Sequence, residues 1–486
     1  MGLKFEFATE PFLFLFMFAL GGNLSLLPQL TIAKICHNKF NSSVCSKLGQ
    51  KAFKDEENYI YSQAATWNTI IFLSVYVPSL FTILPVGAIS DIISKKKLLL
   101  LPPIATVLQC VVYICCARYK ELSVGYLAVG SSITCIYGDI QGGIMLSYCY
   151  MTGVTGNDHR RTWRMAILEG SIFIGQGLGS FVAGILLEKF GFTVAFLFPA
   201  SIAFLNFAFV LFLLPNLPSS SNHSLTHSNT EIDGHKDESF CLQLGSNLKD
   251  IFKKIAMFAK KYLCSSGKLV VLLLLAAFFA NGAILGENVL ITFFLKHSPL
   301  SLDAQEVGQY FLILHCTRGI GISFLAIISA KFFRPSDYIV TILGLLSLIA
   351  THISLSFANT KPMLYGLSVL SFAFPYAMST IRALLTKLVS PGDEGTVLSY
   401  VGFISLIAVN IMTFAGNSLF KATAKIFPGF SILMLSCSSI MALVLVTSVW
   451  CIASHAGRGY EKNEGTELND EQCKTEEDPL IEKCSQ

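Results

Sequence analysis

Apolar runs of about 20 residues, each broken by a short polar segment, recur along the whole chain. In the first half they fall at Pro11–Leu30, Asn68–Ile89, Leu98–Ala117, Leu122–Tyr148, Met165–Leu187 and Val194–Leu214. In the second half they fall at Leu269–Leu295, Val307–Ala330, Ile339–Phe357, Met363–Leu388, Val397–Phe420 and Phe430–Ile452. Lipid offers backbone amides no hydrogen bonds, so each run must satisfy its own and is predicted to be an α-helix. The expected architecture is an all-α membrane protein with twelve transmembrane helices. Residues 1–214 make a first six-helix bundle, 215–268 a linker, 269–453 a second six-helix bundle and 454–486 a disordered tail. Six spans on either side of a polar linker imply two repeats packed face to face.

Composition sharpens this picture. Of 486 residues, 53% are hydrophobic and only 14% charged, a shortage of charge that marks a membrane protein. The net charge of +4 is spread out, so no nucleic-acid partner is expected. Most of the 14 cysteines lie in apolar stretches, as Cys110, Cys115, Cys116 and Cys135 do, where thiols act as small hydrophobes. No CxxC or HExxH motif and no nucleophile–base pair stands out, so no metal, cofactor or enzymatic chemistry is expected. The first run is long for a signal peptide and follows Glu6 and Glu10, so it reads as the first span.

Basic residues set the orientation. Lys95, Lys96, Lys97, Arg160, Arg161, Arg164, Lys331, Arg334 and Lys387 mark one side, which is expected to be cytosolic together with both termini. Loop 1 lies opposite, although it also carries Lys34, Lys39, Lys47, Lys51 and Lys54. It holds the glycosylation sequon Asn41-Ser42-Ser43, and Cys36 and Cys45, which can pair in an oxidising compartment. In the linker, Pro218 to Glu238 is expected to be disordered. Leu248, Ile251, Phe252, Ile255 and Phe258 then recur at helical spacing among lysines, as in a basic helix lying on the anionic leaflet or extending the seventh span. In the tail, Glu476, Leu480 and Ile481 fit an acidic dileucine signal for sorting adaptors. That signal favours a lysosomal or late endosomal membrane, with the plasma membrane as the alternative.

Ionisable groups inside a bilayer are costly and mark candidate functional positions. Here they are Asp139, Glu169, Glu287, His315, Arg318 and Arg382. Burial penalises the charged form of a carboxyl, which makes Glu169 the leading proton carrier, with Asp139, Glu287 and His315 as further candidates. The bland alternative for Glu169 is an ion pair with Arg164 or Arg161 at the mouth of its helix. An arginine keeps its charge and needs an anion, so Arg382 and Arg318 are candidates for contacting substrate or an internal carboxylate. Glu287, His315 and Arg318 can also serve as mutual partners. Gly175, Gly177, Gly179 and Gly184 mark a tight helix contact.

Gly87-Ala88-Ile89-Ser90-Asp91-Ile92-Ile93-Ser94-Lys95-Lys96 resembles the major facilitator signature, with Ser94 in place of a glycine. Asp91 and Lys95 there belong to a cluster of charges that can bridge helix ends and break on rocking. Gly138-Asp139 with Gly142-Gly143, then Arg161-Thr162-Trp163-Arg164-Met165-Ala166-Ile167-Leu168-Glu169, is similar to solute carrier family 46. So is Ile381-Arg382-Ala383-Leu384-Leu385-Thr386-Lys387-Leu388-Val389 with Glu394-Gly395. The resemblance implies a major facilitator fold and proton-coupled transport of organic anions such as folates, steroid conjugates or muropeptide-like solutes. It implies coupling or transport roles for Asp91, Asp139, Glu169 and Arg382, with protons, a small organic anion and the bilayer as partners. A non-transporting receptor that kept the fold is the alternative.

The departures from the family's folate transporter are specific. Its helix 7 histidine aligns with Ile284, its helix 4 arginine with Ser131, and its helix 11 lysine with the Ile426–Phe430 region, which has none. Its loop 1 cysteine pairs with one after helix 7, where this chain reads Ser298-Pro299-Leu300-Ser301, so Cys36 is the expected partner of Cys45.

Overall fold

The computed structural model describes residues 9–40, 45, 54–90, 94–119, 121–155, 160–215, 253, 255–265, 267–297, 299–328, 336–389, 394–424 and 426–467. The N-terminal half holds α1 (Thr9–Lys39), α2 (Lys54–Ile89), α3 (Leu101–Arg118, after a single turn at Lys95–Leu98) and α4. A continuous helical stretch, Arg160–Phe212, breaks at Gly191, where φ is 76° and ψ 177°. The parts before and after that break are α5 (160–190) and α6 (192–212). The C-terminal half holds α7 (Lys268–Lys296), α8 (Ala304–Ile328), α9 (Asp337–Ser356), α10, α11 (Glu394–Thr423) and α12 (Phe430–Glu467). Two large apolar cores fill the bundle, one mainly in each half, and each takes in residues of the other.

The fourth helix of each half is interrupted in the same way. α4 runs Gly125–Ser132, tightens to a 3-10 stretch over Ile133–Tyr137 and resumes at Asp139–Thr155. α10 runs Lys361–Ser368, tightens over Val369–Ala373 and resumes at Phe374–Leu388. The α4 interruption has a local cause: Gly138 adopts φ 88°, a conformation glycine reaches without penalty. Repetition of this device in both halves is what two related repeats produce.

Helices outrun the apolar runs that announce them. α2 begins at Lys54 because Asp55, Glu56 and Glu57 in its first turn complement the positive end of the helix dipole. Lys34, counted with loop 1 on sequence, lies in α1, and its Nζ donates to the Cys116 carbonyl at 2.9 Å. α12 continues to Glu467, so the tail expected to be disordered from 454 starts as helix. The stretch from Ser454 to Glu467 holds no proline, and its three glycines do not stop the helix. Disorder of the linker between Pro218 and Glu238 falls outside the described residues. The end of the linker packs on the protein: Phe258 and Tyr262 are buried, Phe258 stacks on Tyr400 of α11, and the Tyr400 hydroxyl donates to the Ile255 carbonyl at 3.1 Å. These aromatic groups are therefore taken up by the C-terminal half rather than offered to the leaflet.

α5 packs on helices of both halves, and its glycines divide into two sets. Gly175 and Gly179 face α1, where the backbones approach so closely that Ser180 Oγ donates to the Gly21 carbonyl at 2.9 Å. Gly170, Gly177 and Gly184 face α8. A methyl group on Gly177 would come within 2.9 Å of His315 Cβ, and one on Gly184 within 2.7 Å of the Ala304 carbonyl oxygen. The tight contact expected on sequence is thus two contacts, one inside the N-terminal half and one across to the other half. α2 and α11 also meet across the halves: a methyl on Gly87 would lie 2.6 Å from Ser399 Cβ.

Candidate functional site: a cavity between the halves

A narrow cavity of about 50 Å³ lies between the two halves. Apolar side chains such as Met17, Ile144, Ile172, Phe173, Phe374 and Met378 make most of its wall. Gln141, Gln176, Asn281 and Asn288 add uncharged polar groups, and Glu169 and Arg382 are the charged residues among the described lining. A second, smaller space of about 30 Å³ adjoins it inside the N-terminal half and shares Leu20, Leu24 and Ile140. Its polar wall is a linked set: Asn23 donates to Gln109 at 3.3 Å, Gln109 to Tyr113 at 3.1 Å, and the Tyr113 and Ser131 hydroxyls lie 2.5 Å apart. Asp139 borders the same space and accepts from Thr134 Oγ1 at 2.6 Å.

Glu169 of α5 and Arg382 of α10 form an ion pair that spans the two halves. Tyr148 of α4 donates its hydroxyl to the same Glu169 oxygen, and its ring lies 5.3 Å from the Arg382 guanidinium carbon. Ten residues into α5, Glu169 sits roughly 14 Å from the start of its helix, at 1.5 Å per residue. The pair therefore closes the cavity toward the end where α5 begins and α10 stops. The opposite end is closed as well: Asn417 Nδ2 of α11 donates to Thr69 Oγ1 of α2 at 2.8 Å, and Tyr61 donates to the Lys296 carbonyl at 3.1 Å. His297 meets the Tyr61 ring edge-on at 6.0 Å. Contacts between the halves thus flank the cavity on both sides.

The other ionisable groups separate into distinct sets. Arg164 pairs with Glu10 in the first turn of α1 at 3.1 Å, leaving Glu169 to Arg382. Glu287 and Arg318 pair at 2.8 Å, with no exposure of either side chain, and His352 joins the same carboxylate oxygen at 3.4 Å. His315 lies near that pair without a hydrogen bond to it, between the rings of Phe173 and Phe311. Its two ring nitrogens have no hydrogen-bond partner among the described residues. Lys95 lies in the single turn before α3. Cys36 and Cys45 are joined in a disulfide with Cα atoms 5.9 Å apart. Asp91, Asn41, Glu476, Leu480 and Ile481 lie outside the described residues. Among the described residues, no group of three or more His, Cys, Asp or Glu is arranged to hold a metal ion.

Three participants escaped the sequence reading. His352 is an ionisable group in an apolar span, so the criterion that selected His315 applied to it equally. Glu10 was visible, but as a flank of the first run rather than a partner. Tyr148 carries no signal among the tyrosines of its stretch. Two departures from the folate transporter fall on the cavities: Ile284 lines the central one and Ser131 the adjoining one.

A multi-pass helical bundle of two related halves, closed around a central cavity by breakable polar contacts, is the architecture of a membrane transporter. The Major Facilitator Superfamily model matches residues 11–413, and the chain belongs to that superfamily. It is 24% identical to the proton-coupled folate transporter of Rattus norvegicus over 447 residues, covering 88% of this chain and 89% of that protein. It is 21% identical to the lysosomal proton-coupled steroid conjugate and bile acid symporter of Gallus gallus, with 91% and 94% covered. Both similarities agree with the resemblance to solute carrier family 46. Among solved structures, the human organic anion transporter TETRAN has the same fold, with a TM-score of 0.63 at 18% identity over 91% of this chain and 99% of that one.

Proposed function

We propose that this transporter is a proton-coupled symporter of amphipathic organic anions, working by alternating access around the central cavity. The observation that carries the reading is the cavity itself: a largely apolar wall with one guanidinium–carboxylate pair at its edge. Once the halves part, the apolar wall suits an apolar body, and an anionic group competes with Glu169 for Arg382. A proton on Glu169 neutralises the carboxylate and frees the guanidinium for the anion, so proton and anion favour each other's binding. With Ile284 and Ser131 where the folate transporter carries a histidine and an arginine, the site offers less positive charge to a folate. This favours anions of single charge on a bulky apolar frame, such as steroid sulfates and bile acids, in keeping with the substrates named for the avian relative.

Further parts of the reading are the roles of Asp91, Lys95 and Arg164 in conformational coupling, glycosylation at Asn41, and residence in late endosomes or lysosomes through Glu476, Leu480 and Ile481. There the lumen is acidic, and symport would export the anion to the cytosol. The test is uptake of labelled steroid sulfates, bile acids, folates and muropeptides at acidic and neutral external pH, using protein directed to the cell surface. Acid-stimulated uptake of the first two classes supports the proposal. Equal behaviour of expressing and non-expressing cells toward all four would overturn it in favour of a receptor that kept the fold.

A further inference from the structure

The second buried cluster, Glu287 with Arg318 and His352, takes no part in the gate at Glu169. It joins three helices of the C-terminal half: Glu287 from α7, Arg318 from α8 and His352 from α9. A fourth, α10, contributes Ser371, which accepts from Arg318 Nε at 3.1 Å. Guanidinium and imidazole both address Glu287 Oε2, at 2.8 and 3.4 Å. A structural ion pair needs only the first. Moreover Glu287 Oε1, Arg318 Nη1, His352 Nδ1 and Tyr310 Oη, all buried, have no hydrogen-bond partner among the described residues. Buried polar atoms are ordinarily paired, so this cluster has room for further partners such as a proton or a water.

We propose that His352 is a second proton-binding site and that its charge is felt by an anion in the central cavity. The inference rests on the proton-coupled reading above and adds a residue to it. Histidine is the side chain suited to changing charge across mildly acidic pH. The groups facing His352 are Glu287 on α7 and Arg318 on α8, with Tyr310 and His315 of α8 close to that pair. The cations of α10 are paired elsewhere: Lys361 with Glu306, Arg382 with Glu169 and Lys387 with Asp337. α12, which also packs on α9, carries no charged residue from Phe430 to Ser454.

The charge balance follows directly. Carboxylate and guanidinium cancel, so the cluster is neutral with a neutral imidazole and carries one positive charge once His352 takes a proton. That charge has a short path to the cavity: the Arg318 guanidinium carbon lies 5.8 Å from the centre of the Phe374 ring, and Phe374 lines the cavity. An anion in the cavity therefore favours the proton on His352, and the proton favours the anion, by the reciprocity that links any two coupled sites.

The test is an infrared difference titration of the full-length protein in lipid nanodiscs between pH 7.5 and 5, without substrate. The wild type is expected to show an imidazole protonation band summed over its nine histidines, His352→Gln to lose one histidine's share of it, and His315→Gln to lose none. Glutamine retains a donor for Glu287, and His352→Asn serves if that variant fails to fold. A band equally strong in the His352 variants overturns the proposal, as does its loss in His315→Gln alone. Because no substrate is present, the outcomes separate. A band assigned to His352 with no anion transported sinks only the symport reading, whereas acid-driven uptake with the band unchanged sinks only His352.

Discussion

Arg382 and Glu169 stand 213 positions apart in the chain and meet as an ion pair on the boundary between its two halves. Each is nearly inaccessible to solvent, and each comes from a different half, so the pair must part whenever the cavity opens on that side. Separating two buried charges is costly unless something replaces the lost partner. A proton for the carboxylate and an anion for the guanidinium are the two replacements that keep the transition affordable.

Glu169→Gln is therefore expected to uncouple more than it disables. Acid-driven uptake should fall by roughly 5- to 150-fold, the usual span of coupling between two sites. Exchange of substrate across the membrane at equal pH should change far less. Uptake and exchange measured on the same vesicles check this, and equal losses would reduce the pair to a structural role.

At the other end of the cavity, Thr69 and Asn417 are within hydrogen-bond reach across the halves. Replacing both with cysteine and oxidising the pair is expected to arrest transport, with recovery on reduction. Each single variant should transport normally under the same oxidant. Continued transport by the cross-linked form would mean that this contact does not have to open.

Gly177→Leu should be among the most damaging changes in α5, because the added atoms meet the backbone and His315 of α8. Overpacking of this kind costs about 1–3 kcal/mol, visible as a lower melting temperature in detergent as well as lost transport. Gly366→Ala in α10 is the contrasting case, since a methyl there meets nothing within 4 Å. Its helix should tolerate or gain from alanine, by up to about 1 kcal/mol.

Two predictions concern segments outside the described residues. Asn41→Gln is expected to increase the gel mobility of the mature protein, as enzymatic deglycosylation of the wild type does; unchanged mobility would remove the site. Changing Leu480 and Ile481 together to alanine should move the protein from endolysosomes to the cell surface, scored by surface biotinylation. An unaltered distribution counts against the sorting signal.

The twelve spans were legible because a bilayer permits so few solutions: an apolar run of this length has to be a helix. Their ends were not, because past the apolar run nothing forbids another turn, as α12 shows by continuing to Glu467. Individual candidates at the site were legible for the same reason, since a charge among apolar residues stands out. Their partners were not. Glu169 had three arginines to choose from on sequence, and only packing shows that Arg164 goes to Glu10. On sequence the Gly138–Asp139 motif carried a family resemblance, whereas Gly138 breaks the helix, a role that depends on a positive φ that composition does not reveal.

The glycines of α5 that face α8 recur every seventh residue, at 170, 177 and 184. Two turns of helix separate each from the next, roughly 10.5 Å along the axis. A slide of α8 by a single turn would carry its backbone off the glycines and toward Ile174, whose side chain already flanks the contact, and Phe181. Travel along this seam is thus blocked in either direction, while tilting about it is not. The seam behaves as the knuckle of the molecule: a line of bare backbone that stays in register while the ends of the two halves swing apart.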